Sequence, residues 1–101
     1  MNAAQWWLAS LGDTLVWARL RVLEEGVAEV LDASGHTHRY DDATSARMAL
    51  LDAEFRAFDG LDAEDAAQLG FDLEQIQPPV ADTDAELIAA MTHTLSARIK
   101  P

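Results

Sequence analysis

Between positions 13 and 40, apolar and polar residues alternate, and two loops of one design interrupt the alternation. Leu23-Glu24-Glu25-Gly26-Val27 and Asp32-Ala33-Ser34-Gly35-His36 each place glycine third in the loop. A three-residue hairpin loop of this kind is a type I turn followed by a left-handed residue, a backbone state that glycine adopts without steric cost. The segment therefore reads as three consecutive antiparallel strands. Counting outward from the loops sets Val22 opposite Ala28 and Leu20 opposite Val30 in the first hairpin, and Asp32 opposite His36, Val30 opposite His38 and Ala28 opposite Tyr40 in the second.

Successive strand residues point to opposite faces, so this register sorts the side chains. One face holds Val16, Ala18, Leu20, Val22, Ala28, Val30 and Tyr40, with His36 and His38 toward one end. The other holds Trp17, Arg19, Arg21, Glu29, Leu31, Thr37 and Arg39. Glu29 then lies between Arg21 and Arg39, and cross-strand ion pairs contribute about 0.2–1 kcal/mol each.

The flanking segments read as helical. Residues 2–11 predict a short helix ended by Gly12. Trp6 and Trp7 cannot share a helix face at about 100° per residue, so either one packs on the sheet and the other is left for a neighbour, or both pack within this domain by different sides. After the sheet, Asp41 or Asp42 caps a helix running to Phe58, with Met48, Leu51, Phe55 and Phe58 as an apolar stripe to cover the sheet. Asp62 caps a second helix that Gly70 stops. Pro78-Pro79 forms a joint within residues 78–82. Thr83-Asp84-Ala85-Glu86 is a capping box that opens a last helix over 83–100, with Ile88, Met91, Leu95 and Ile99 as its stripe. The expected fold is α+β in one domain over 1–101: a short N-terminal helix, a three-stranded antiparallel meander over 13–40, a helical cover over 41–77, then the joint and the C-terminal helix.

Composition narrows the function. Half of the 101 residues are hydrophobic, enough to bury a core. The absence of cysteine excludes disulfides and thiolate metal sites. No apolar run is long enough to span a membrane, and the N-terminus lacks the pattern of a secretory signal, so the expected location is the cytoplasm. The net charge of −11 sits in the middle of the chain, where residues 41–86 hold 13 acids against Arg47 and Arg56. Such a field opposes nucleic-acid binding and attracts basic partners.

Chemical motifs are sparse. His36-Thr37-His38 has metal-ligand spacing on a strand, with Asp32 opposite and His93 able to reach from the last helix, whereas zinc takes three or four ligands. A bland pairing of His36 with Asp32 accounts for the same residues. The acids between Asp52 and Asp65 fall at helix caps and on polar helix faces. No nucleophile elbow and no phosphate-cradling glycine loop is present. No catalytic residue, cofactor or resident metal is assigned. A basic-aromatic patch of Trp17, Arg19, Arg21, Leu31 and Arg39, with Trp6 from the N-terminal segment, is the candidate partner-binding surface, since Trp and Arg are enriched at binding hot spots. The order helix, three strands, helix with an acidic surface resembles the small acidic chaperones of type III secretion effectors. Those have two more strands before the final helix, so the resemblance is one of architecture and no residue is carried across. The sequence thus leads to a small acidic non-enzymatic protein-interaction module, with homodimerisation as one version. An acidic inhibitor or immunity protein that occludes a basic, nucleic-acid-binding surface is the first alternative. A metal-dependent enzyme built on His36 and His38 is the second.

Overall fold

A computed structural model describes residues 4–11, 14–72 and 76–94. Its centre is a six-stranded antiparallel sheet. The strands are β1 (Ala4–Leu11), β2 (Thr14–Val22), β3 (Ala28–Leu31), β4 (Thr37–Tyr40), β5 (Arg56–Ala57) and β6 (Thr92–Thr94), and the helices are α1 (Ala43–Asp52), α2 (Ala63–Leu69) and α3 (Asp84–Ala90). The sheet runs β4-β3-β2-β1-β5, and β6 pairs with β2.

The N-terminal helix and the three-stranded meander are both overturned. Residues 4–11 form a strand that pairs with β2 along its length, from Ala4↔Arg21 to Leu11↔Thr14. A strand resolves the tandem tryptophans better than a helix does, because neighbours point to opposite faces. Trp6 sits over Trp17 in an edge-on contact with ring centroids 5.9 Å apart. Trp7 goes to the opposite face and is 4 % exposed.

The hairpin register matches the expectation from the loops. Leu20↔Val30, Val22↔Ala28, Val30↔His38 and Ala28↔Tyr40 are all paired. Gly26 and Gly35 have φ of 84° and 91°, the left-handed state the loops require. The first loop departs in one respect: Glu25 is also left-handed, at φ 67°.

Both faces of the sheet are covered. On the first, Trp7, Ala18, Leu20, Ala28 and Val30 pack against Ala46 and Leu50 of α1. On the second, Leu8, Leu15, Trp17 and Leu31 pack against Leu61, Ala66, Phe71, Leu87 and Met91. This second layer comes from the chain after β5, and side-chain caps start its two helices: Asp62 accepts from the Asp65 amide, and Thr83 from the Glu86 amide.

Helix lengths differ from expectation. The helix capped by Asp42 ends at Asp52, not Phe58, and Met48 and Leu51 are 60 % and 55 % exposed instead of covering the sheet. The last helix ends at Ala90, and Thr92–Thr94 adds to the sheet beside Thr14–Val16. The part of the 83–100 helix beyond Thr94, with Leu95 and Ile99, lies outside the described residues. Among the described residues no helix is long and apolar enough to cross a membrane.

α1 and α2 finish in the same way. After α1, the amides of Glu54 and Phe55 donate to the carbonyls of Leu51 and Leu50; after α2, those of Gly70 and Phe71 donate to Ala67 and Ala66. These are Schellman endings, in which the residue at the turn is left-handed. Gly70 meets that requirement at φ 97°, whereas Glu54 carries a side chain at φ 69°. Replacing Glu54 by glycine should therefore stabilise the fold by about 1 kcal/mol, because the left-handed penalty of a side chain exceeds the entropic cost of glycine. Urea unfolding should show a higher midpoint with an unchanged slope; an unchanged or lower midpoint would contradict the strain at this turn.

Candidate interaction site

The register gathers Trp6, Trp17, Arg19, Arg21, Leu31 and Arg39 on one face of the sheet. Trp6 faces Arg19 across the β1–β2 ladder, Arg19 faces Leu31, and Arg21 faces Glu29, which faces Arg39. The face is not uniformly open, however. Trp17 and Leu31, expected at a docking surface, are 2 % and 5 % exposed beneath the layer built by residues 58–91. Their apolar area is already used inside the domain: Trp17 contacts the Phe58 ring at 5.3 Å between centroids, besides Trp6. They serve the interior; of the candidate residues Arg39 is exposed, while Trp6, Arg19 and Arg21 are half-buried.

The charged end of the face is an ion-pair ladder. Arg21 Nη2 donates to Glu29 Oε1 at 2.6 Å, and Arg39 Nη2 lies 3.6 Å from Glu29 Oε2. The Arg21 hydrogen bond is the main reason the Glu29 carboxyl titrates below its ordinary value; burial works against this, and the charges of Arg21, Arg39 and Arg19 add to the lowering. Arg19 is mostly buried, with Asp84 Oδ1 4.0 Å from its Nη1. Burial, and then the neighbouring Arg21, pull the Arg19 pKa down, while Asp84 and Glu29 oppose them. The Nε atoms of Arg19 and Arg21 are buried with no hydrogen-bond partner among the described residues.

The hairpin histidines form a separate group on the opposite face. His38 Nε2 is 2.8 Å from Asp32 Oδ2, and His36 Nδ1 is 4.0 Å from Asp32 Oδ1. Asp32 also accepts from the Ser34 and His36 amides, each at 3.0 Å, which ties the loop. Desolvation raises the Asp32 pKa, and the bonds from His38, His36 and Ser34 outweigh it, so the net direction is down. His93 pairs with Leu15, whose side chain lies on the Trp17 face, so it does not join His36 and His38. Among the described residues, no group of three or more ligating side chains is arranged to hold a metal ion.

Sequence reasoning missed two features. It missed the second layer over Trp17, because residues 58–91 carry anchors such as Leu61, Ala66 and Phe71 without a long periodic stripe. It also missed the exposed Met48–Leu51 face, which it assigned to the interior. Compared with protein-family models, curated proteins and solved structures, the chain finds no match in any of the three.

The burial and the ladder can each be tested. Trp17→Ala should cost about 3–5 kcal/mol in chemical denaturation, as for a buried large aromatic, whereas Arg39→Ala should change stability by only about 0.5 kcal/mol or less. A small loss for Trp17→Ala would mean the ring is not part of the core. The lowered Glu29 pKa sets a sign for acid. Its contribution is fully present above its unfolded value near 4.5 and is lost as pH falls through the lower folded value. Glu29→Gln should therefore flatten the stability profile below pH 4.5, and an unchanged profile would contradict the ladder.

Proposed function

We propose that this chain is a small non-enzymatic protein-binding module that docks a basic partner through the acidic segment 41–86. One observation carries the reading: 13 acids stand against two bases in this segment, and most of those acids are solvent-exposed. Asp41, Asp52, Glu54, Asp59, Glu64, Asp82 and Glu86 are all exposed. Asp42 and Asp62 cap helices, and Asp65 and Asp84 lie near Arg56 and Arg19. The seven exposed acids named first are in no ion pair among the described residues, so their field projects into solvent. A basic, nucleic-acid-binding surface is one partner of the chemistry this field attracts, and the inhibitor reading is a special case of the same docking.

Affinity capture on immobilised protein, with elution by increasing salt, tests the reading. Binding should weaken steeply with salt, since exposed charges are screened over about 8 Å at physiological ionic strength. Neutralising Glu54, Asp59 and Glu64 together to their amides should remove the basic proteins from the captured set. Capture that ignores both salt and these substitutions would overturn the proposal.

A further inference from the structure

We propose that the outward face of α1 is a self-association surface on which a second copy of this chain packs its own α1 in parallel. Met48 and Leu51 are the two large apolar residues that α1 leaves exposed. Three residues apart on a helix, they are neighbours and make one short apolar stripe. The helix turns its opposite side, Ala46 and Leu50, to the sheet. The stripe is therefore unused by the domain that carries it.

The flanks say what fits it. Arg47 and Asp52 lie on opposite sides of the Met48–Leu51 stripe at about 100° per residue. Neither has an ion-pair partner among the described residues. When two helices pack in parallel about a two-fold axis, the flank before the stripe on one faces the flank after it on the other. Arg47 of one copy then meets Asp52 of the second, five residues on, and the symmetric pair forms on the other side. An antiparallel packing would instead set Arg47 beside Arg47 and Asp52 beside Asp52. The charges thus favour a second copy in parallel, with the stripes as the apolar seam. α1 has ten residues, about 15 Å of helix, so this contact alone is smaller than the roughly 1,000 Å² of a stable interface. The association is accordingly weak and reversible. It does not rest on the acidic-surface reading: its seam is the Met48–Leu51 stripe, and Asp52, one acid of that surface, here serves only to pair with Arg47 of the second copy.

Sedimentation velocity of the full chain from micromolar to millimolar concentration tests the inference, with circular dichroism to confirm that each variant folds. The wild type should pass from monomer to dimer. Leu51→Glu, at an exposed position, should raise the dissociation constant about ten-fold or more. Arg47→Glu should weaken the dimer, and combining Arg47→Asp with Asp52→Arg should restore it by exchanging the pair. A wild type that stays monomeric throughout, which would leave the face to a foreign protein, overturns the proposal. So does a dimer that Leu51→Glu leaves intact, or a charge exchange that fails to rescue.

Discussion

Strand β2 is hydrogen-bonded on both edges and buried on both faces, and the rest of the molecule depends on that. Along one edge it pairs with β1 from end to end; along the other, β3 takes Arg19–Val22 and β6 takes Thr14–Val16. Between those two partners the Trp17 amide donates to the Met91 carbonyl at 2.8 Å, so the edge is served there too. A buried backbone amide without a partner is costly, which is why the break between β3 and β6 is bridged in this way. Leu15 and Trp17 anchor one core while Ala18 and Leu20 anchor the other. Displacing β2 would open both layers at once.

The double burial also explains what could be read from the sequence. The two glycine loops are local and fix register by counting, so the β2–β3–β4 pairing was legible residue by residue. Helix starts at Asp42, Asp62 and Thr83 were legible for the same reason, since a cap needs only a few adjacent residues. β1 was not. A strand covered on both faces has no polar alternation, so Trp6-Trp7-Leu8-Ala9 reads as an apolar block that suits helix or strand equally. Its aromatic residues and the Gly12-Asp13 dipeptide, a pair suited to a two-residue hairpin loop, were the available signs. β6 was harder still, because three residues are too short to show a period, and their strand state needs the open edge of β2 at Thr14–Val16 to pair with.

The candidate site was legible in its register and not in its exposure. Sequence placed Glu29 between Arg21 and Arg39, and the ladder is there. Whether Trp17 and Leu31 face water depends on what the chain does after β5. The layer that covers them begins where α1 gives out, with Phe58 against Trp17, and continues through α2 and α3. It also brings Asp84 toward Arg19, so the acidic half of the chain is drawn over part of the basic face. Asp41, Asp52, Glu54, Asp59, Glu64, Asp82 and Glu86 stay exposed and are in no ion pair among the described residues.

The short length of α1 links the fold to its free surface. The Met48, Leu51, Phe55, Phe58 spacing describes one continuous stripe only if the helix continues past Asp52. It does not: the Schellman turn at Glu54 ends the helix and sends the chain in a new direction. Phe55 then joins the α1 side of the sheet and Phe58 joins the Trp17 side, each packed on a different core. Met48 and Leu51 stay behind on the helix, outside both. The same apolar pattern is thus divided by a single left-handed residue into two core anchors and one exposed pair. An interior role for that pair would require a longer helix, and the hydrogen bonds from Glu54 and Phe55 to Leu51 and Leu50 forbid it.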